Sequence, residues 1–153
     1  MKNYNIELPK YIGKLLRDIL FNNDIDFEIS ECENMWHFEI SINNECQQQK
    51  VGEFIKQYVF ILTNAKISDK DLQYILDDYD FDDIYNVVSN NDFYIYDVSN
   101  MSTFGSEIFD IYECQQLADN ISRYFDFEEY GKDFLDTQEY VELENDRVII
   151  FYF

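Results

Sequence analysis

Basic residues are scarce in this chain of 153 residues, which contains 11 Lys and Arg against 32 Asp and Glu. The net charge of −21 is extreme for a small protein and argues against direct binding to nucleic acid. A disordered acidic tail would also be rich in acid, but such segments are poor in aromatic residues, and this chain is 46% hydrophobic and 18% aromatic. The acid is therefore carried by a folded protein.

Long apolar runs are also missing. The longest, Val148 to Phe153, has six residues, and Tyr58 to Leu62 has five, whereas a membrane-spanning helix needs about 20. The N-terminal sequence "MKNYNIELPK" lacks the apolar segment of a signal peptide. We therefore expect a cytoplasmic protein without membrane contact.

Sequence motifs of the common enzyme classes are absent: there is no GxGxxG, GxxxxGK[ST], HExxH or GxSxG. The single histidine, His37, is expected on the polar face of a strand, and a dyad with Cys32 would cross a hairpin turn without a known signature. The three cysteines, Cys32, Cys46 and Cys114, form no CxxC pair and are expected to be reduced, partly buried thiols. We predict a non-catalytic protein with no catalytic residue and no cofactor.

A calcium loop can be tested by aligning the EF-hand frame to Asp78. Asp80 and Asp82 then occupy positions 3 and 5, but Asp83 stands where the turn requires Gly, and Ser89 stands where a bidentate Glu is needed. The sequence therefore predicts no metal site.

Charge divides the chain unevenly, with a net charge of −3 for residues 1–66 and −18 for residues 67–153. No Pro/Gly/Ser-rich linker separates the two parts, because there is one proline and the four glycines are solitary. We expect an α+β protein with two small units packed together, an N-terminal unit over 1–66 and an acidic unit over 67–153.

The N-terminal unit is predicted to have the order αββα. Apolar residues recur at helical spacing from Leu8 to Leu20, and alternating residues over 26–30 and 36–42 indicate two strands joined through "ECEN". A second helix follows, with apolar residues at helical spacing from Val51 to Leu62.

The acidic unit is predicted to begin with a helix capped by Ser68 and Asp71. A short helix in "FDDIYNVV", a strand over 93–98 and helices over 101–110, 113–122 and 126–136 follow. The chain then ends in a hairpin of "QEYVEL" and "RVIIFYF".

The stretch "YFDFEEYGKDFLDT", residues 124–137, shows how acid and apolar residues are combined. As a helix, it gathers Phe127, Tyr130, Gly131 and Phe134 on one stripe that can pack on a core. Asp126, Glu129, Asp133 and Asp136 gather on another side and face water. This face is either an ordinary solvated surface or a surface selected by a basic partner, and the scarcity of cations that would offset the repulsion favours the partner.

Carboxylates on a single helix are spaced at about 4.5 to 6 Å along its axis, whereas phosphates follow at about 3.4 Å along each strand of duplex DNA. Several acidic elements would therefore have to lie side by side to resemble DNA. The residues predicted to bind a partner are Asp77, Asp78, Asp80, Asp82, Asp83, Asp126, Glu128, Glu129, Asp133 and Asp136.

Two segments, "DFDDIYNVV" (80–88) and "LADNISRYFDFEEYGKDF" (117–134), followed by a closing strand pair, resemble the C-terminal part of the ArdA antirestriction proteins. The likeness covers residues 61–153, with "ILTNAKISDKDLQYIL" at its upstream end. Its most specific part is Tyr124 to Phe127 and Tyr130 to Phe134, with Lys132 where the family usually has Arg. The strand-rich N-terminal motif of that family is not found in residues 1–60. The resemblance implies an elongated acidic dimer that mimics DNA and occupies the DNA groove of type I restriction-modification enzymes.

From these features we expect a DNA-mimic inhibitor of a defence nuclease, encoded by a mobile element, whose partner is a basic DNA-binding groove. Two alternatives stay open: an anti-CRISPR protein that blocks the groove of a CRISPR effector, and an acidic interaction or regulatory module without DNA mimicry. A homodimer is expected to use the uncharged terminal strand, through Val148, Ile150, Phe151 and Phe153, unless that strand only completes the core of its own unit.

Overall fold

The computed structural model describes residues 1–113 and 122–153 of the chain. The protein is of the α+β class, as predicted, with helices and two three-stranded antiparallel sheets. The chain divides into two compact units, Met1–Gln73 and Tyr74–Phe153. This boundary lies further along the chain than residue 66, where the charge composition changes. No helix among the described residues is both long enough and apolar enough to span a membrane.

The first unit contains three strands and two full helices in the order β1 (Lys2–Pro9), α1 (Lys10–Asn22), β2 (Asp26–Cys32), β3 (Met35–Ile42) and α2 (Glu45–Ala65). It also contains the start of α3 (Asp69–Leu76). β3 is the central strand of the sheet, with the order β1-β3-β2. The two-residue turn between β2 and β3 has Glu33 and Asn34 at positive φ, which matches the twist of a tight hairpin.

The predicted αββα order missed β1. Leu8 does not belong to the first helix but lies on β1, buried and in register with Trp36. Pro9 ends the strand and directly precedes the helix, a position at which its missing N–H is tolerated. The alternation of Tyr4, Ile6 and Leu8 with polar residues is the strand signal that the helical periodicity concealed.

Two tyrosines join the helices of the first unit at Asp69. The Tyr58 hydroxyl donates to the Asp69 carboxylate, and the Tyr11 hydroxyl donates to the Asp69 backbone carbonyl. Next to them, the predicted cap of α3 is confirmed, because Ser68 and Asp71 exchange reciprocal hydrogen bonds of 3.1 Å. These contacts fix the start of α3 against α1 and α2.

The second unit continues with α4 (Phe81–Ser89), β4 (Phe93–Asp97), α5 (Met101–Tyr112), α6 (Phe127–Asp136), β5 (Tyr140–Leu143) and β6 (Arg147–Phe151). β6 is the central strand in the order β4-β6-β5. The hairpin between β5 and β6 turns at 144–146, as predicted. The helix predicted over 113–122 falls almost entirely on residues 114–121, outside the described residues.

Helices α5 and α6 cross at two glycines. A Cβ atom on Gly105 would lie 1.7 Å from the Phe127 backbone oxygen, and one on Gly131 would lie 3.1 Å from the Gly105 Cα. The two backbones are thus in direct contact, which only glycine permits. Phe104, Ile108, Leu135 and Val148 form the buried cluster beside this crossing.

Gly105→Ala should lower the free energy of unfolding of the second unit by about 3 kcal/mol or more, because the helices must separate to admit the methyl group. Gly131→Ala should have a smaller effect of the same sign. Urea unfolding followed by circular dichroism measures both. Gly52→Ala is the control: its Cβ would contact nothing within 4 Å, so the change should stabilise α2 by about 0.5–1 kcal/mol. Equal stability of Gly105→Ala and the unmodified protein would contradict the close crossing.

Tyr58→Phe should lower the free energy of unfolding by about 1 kcal/mol at neutral pH, because one hydrogen bond is lost. It should also reduce alkaline sensitivity. Burial, followed by the hydrogen bond with Asp69 and the charge of Asp69, raises the pKa of Tyr58 above its ordinary value of 10.0. Because the pKa is higher in the folded state, the contribution of this phenol is complete below about pH 10 and is lost as the pH rises further.

The measurement is urea unfolding at about pH 9 and about pH 11. The unmodified protein should lose more stability over this interval than Tyr58→Phe. The control is Tyr124→Phe, since Tyr124 is 82% exposed. A Tyr58→Phe protein that loses as much stability as the unmodified one would refute the assignment.

Candidate acidic interaction surface

The ten carboxylates predicted to bind a partner are all exposed and fall into two segments of the second unit. The first, which we call the α4 segment, is residues 77–83 and comprises the loop after α3 and the first turn of α4. The second, the α6 segment, is residues 126–136. The structure therefore leaves every predicted carboxylate accessible.

Aromatic contacts hold the α6 segment in place on the side opposite its carboxylates. The ring of Phe109 on α5 lies 5.8 Å from Phe127 and 5.5 Å from Tyr130, measured between centroids, and Phe104 lies 6.1 Å from Phe134. These are the residues of the predicted apolar stripe, and they pack edge-on as aromatic rings prefer. Packing of this kind gives the carboxylates a fixed position.

Two of the α6 carboxylates have local structural partners. The predicted helix included Asp126, but in the structure Asp126 precedes the helix and caps it. Its Oδ1 accepts a hydrogen bond from the Glu129 backbone N–H at 3.0 Å. Glu128 forms an i,i+4 ion pair of 2.7 Å with Lys132. The hydrogen bond with Glu128, followed by its charge, raises the pKa of Lys132, so this lysine stays charged.

Glu129, Asp133 and Asp136 complete the α6 segment, and within the described residues no Lys, Arg or His nitrogen lies within 4.0 Å of their carboxylates. Their spacing along the helix axis is about 4.5 to 6 Å. They form a row of fixed, hydrated negative charges.

The α4 segment contains the start of a helix. Asp80 is the residue before α4, and Asp82 and Asp83 occupy its first turn, where negative charge is stabilised by the helix dipole. Since Phe81–Ser89 is helical, the calcium frame beginning at Asp78 cannot form an EF-hand loop. The described residues contain no group of three His, Cys, Asp or Glu side chains placed to hold a metal ion.

The second unit has three basic residues against 20 acidic ones. Lys132 pairs with Glu128, the Arg147 Nε donates to the Glu144 carbonyl at 3.1 Å, and the Arg123 guanidinium lies 5.9 Å from the Tyr124 ring centroid. These cations are used locally, so they leave most of the carboxylates unneutralised.

The predicted dimer interface lies mostly in the interior. Val148, Ile150 and Phe151 belong to β6, the central strand of its sheet, and all three are buried. Only Phe153, which is 71% exposed, remains at the surface. The strand is apolar on both faces because it completes its own core, so these three residues cannot form an interface between copies.

The side chain of His37 lies on the outer face of the first sheet, and its Nδ1 is 3.7 Å from the Glu7 carboxylate. The hairpin register places Ser30 opposite His37, and Cys32 opposite Met35. Cys32 and Cys46 are free thiols but are exposed rather than partly buried, since Cys32 ends a strand and Cys46 lies in the first turn of α2. Cys114 lies outside the described residues.

Sequence reasoning missed two carboxylates at β5: Glu139, which directly precedes the strand, and Glu142, which lies on it. Both are exposed, and Glu142 alternates with the buried Val141 and Leu143. The alternation of apolar and polar residues in "EYVEL" is the signal in the sequence, because it places Glu142 on the solvent side of a strand. These residues extend the acidic surface from the helices to a sheet edge.

No family model, curated protein or solved structure matches this chain.

Two substitutions of Asp126 should distinguish the effect of its helix cap on stability from the effect of its charge. Asp126→Ala removes the acceptor for the Glu129 N–H and should lower the free energy of unfolding by about 1 kcal/mol, whereas Asp126→Asn keeps an acceptor and should cost only a few tenths. Thermal unfolding of the two variants, which carry the same charge, measures the difference. Equal stability of the two variants would show that Asp126 does not cap α6.

Proposed function

We propose that this protein is a non-catalytic inhibitor of a defence nuclease, which presents fixed carboxylates to the basic groove that normally holds DNA. Type I restriction-modification enzymes are the first target class, in keeping with the resemblance to ArdA antirestriction proteins. The observation that carries the proposal is the exposure of all ten carboxylates of the α4 and α6 segments in a unit with few cations.

The energetics of folding support a function for this charge. Like charges close together destabilise a compact state, and ordinary surfaces interleave Lys and Arg to reduce the repulsion. Here the aromatic contacts between α5 and α6 supply apolar stabilisation against that repulsion. A surface that is retained although its repulsion destabilises the fold is suited to a partner of opposite charge.

Rigidity distinguishes a mimic from an acidic tail. The α6 carboxylates project from a helix whose backbone is in contact with α5 at Gly105 and Gly131, so their spacing is set by the fold. A basic groove can then exchange its DNA phosphates for these groups without ordering a flexible chain, which avoids an entropic cost on binding. Because α6 alone is sparser than a DNA strand, both segments contribute.

Inhibition should fall when carboxylates are neutralised in groups. We expect the triple variant Asp82→Asn, Asp133→Asn, Asp136→Asn to need about a tenfold higher concentration for half-inhibition of DNA binding, which corresponds to about 1.4 kcal/mol. The measurement is fluorescence anisotropy of labelled duplex DNA with a purified type I restriction enzyme. Raising NaCl from about 50 to about 200 mM should weaken inhibition by the unmodified protein tenfold or more.

The matched control removes three charges from the first unit: Asp26→Asn, Glu28→Gln, Glu39→Gln. These residues lie on the outer face of its sheet, and the change should leave inhibition unaltered. The same assay with a CRISPR effector, which also holds nucleic acid in a positively charged channel, tests the second target class. Absence of inhibition for both enzymes at low salt, or direct binding of the protein to DNA, would refute the proposal. If both triple variants inhibit as strongly as the unmodified protein, the carboxylates do not carry the inhibition and the acid serves solubility alone.

A further inference from the structure

An open groove runs along the whole of β5 in the second unit. One half, of about 450 Å³, is lined by Tyr74, Asp77, Asp78 and all of 141–143. The other half, of about 410 Å³, is lined by Asp78, Tyr79 and 138–140. Asp78 lines both halves, so they adjoin each other at this residue. Each falls in the size range of ligand-binding clefts, about 300–1,000 Å³.

The floor of this groove is a sheet edge. β5 pairs with β6 on one side, and among the described residues no strand pairs with its other side. An edge strand presents a row of backbone N–H and C=O groups that can bond to another extended chain. Four residues at about 3.3–3.4 Å each give an edge of about 13 Å, long enough for a short extended segment.

The walls of the groove carry negative charge and aromatic rings. Asp77 and Asp78 line one wall, Glu139 precedes the strand and Glu142 lies on it. The Tyr79 ring is held by Phe151 and Phe153, at 5.3 and 5.2 Å between centroids. Burial, followed by the charges of Glu139 and Asp78, raises the pKa of Tyr79, so its hydroxyl stays neutral and available as a donor.

This chemistry selects one occupant. A second copy of the chain, adding its own β5 edge, would bring Asp78 and Glu142 towards the same residues of the first copy, and like charges facing each other across strands are destabilising. An extended arginine-rich segment meets the opposite situation. Its guanidinium groups can pair with the carboxylates in bidentate fashion and can stack on Tyr79 and Tyr140.

We propose that the β5 groove binds an extended, arginine-rich segment of a protein partner by strand addition. The backbone of the segment bonds to the free edge of β5, and its arginine side chains pair with Asp77, Asp78 and Glu142. This mode combines main-chain hydrogen bonds for affinity with side-chain contacts for specificity. Asp77 and Asp78 also belong to the α4 segment, but this proposal does not rest on DNA mimicry, because it requires only the sheet edge and the carboxylates around it.

The test uses a capped peptide of about seven residues that alternates arginine and valine, added to the full protein at near-physiological salt. We expect the peptide to shift the backbone amide signals of 140–143 in NMR spectra and to protect them from hydrogen exchange. A control peptide with the same sequence and charge, but with its interior amides N-methylated, cannot donate to β5 and should bind at least tenfold more weakly.

Protein variants provide a second readout. Asp77→Asn, Asp78→Asn, Glu142→Gln should weaken peptide binding about tenfold, whereas the first-unit triple Asp26→Asn, Glu28→Gln, Glu39→Gln should bind as the unmodified protein does. The proposal is overturned if the N-methylated peptide binds equally well, or if the shifts spread over α4 and α6 without involving β5. It is also overturned if sedimentation shows a dimer that the peptide disrupts, since a second copy would then occupy the edge. Nuclease inhibition plays no part in these readouts, so the two proposals fail separately.

Discussion

The close contact of α5 and α6 at Gly105 and Gly131 is the constraint on which the acidic surface depends. Glycine at both positions brings the Gly131 backbone within reach of Met101 and Phe104 on α5. At this distance, aromatic side chains above and below the crossing, Phe109 and Phe134 among them, can reach the opposite helix. Larger residues at the crossing would move α6 outward, and with it the carboxylates on its far side.

The same crossing explains how the chain combines strong acidity with many aromatic residues. Each turn of α6 places apolar side chains inward and carboxylates outward, so burial of the rings directly offsets repulsion among the acids on the same helix. A less aromatic helix would lack this compensation, and a more basic one would neutralise its own surface. The composition of "YFDFEEYGKDF" is thus a consequence of keeping an anionic surface on a folded element.

Sequence periodicity was sufficient for most elements because each carries a single clear repeat. The period-two run of Trp36, Phe38, Ile40 and Ile42 predicted β3, and the helical stripe from Phe127 to Phe134 predicted α6. The failures occur where two signals overlap. Leu8 continues both the strand before it and the helix after it, so periodicity alone places it in the helix and misses β1.

The surface location of the ten carboxylates was predictable from chemistry, since an unpaired charge is rarely buried. The burial of Val148 and Ile150 and the edge position of β5 were not, because both depend on strand order, which pairs β6 with β4 across a long stretch of intervening chain.

The Lys and Arg residues are concentrated in the first unit. Eight of the 11 Lys and Arg residues lie in the first unit, where Lys10 pairs with Glu31 at 3.2 Å and Arg17 with Asp18 at 3.4 Å. An anionic surface remains open to a partner only if the chain's own cations do not neutralise it, and long flexible lysines nearby would do so at little cost. The unit 74–153 has only three Lys and Arg residues of its own for 20 carboxylates. Within that unit the carboxylates occupy two kinds of scaffold, the outer faces of helices and the margin of an edge strand. Helix faces can oppose a broad basic groove, whereas the strand margin adds backbone donors and acceptors that a phosphate backbone lacks. The second scaffold is therefore suited to recognising a polypeptide, and the first to opposing a broad surface of positive charge.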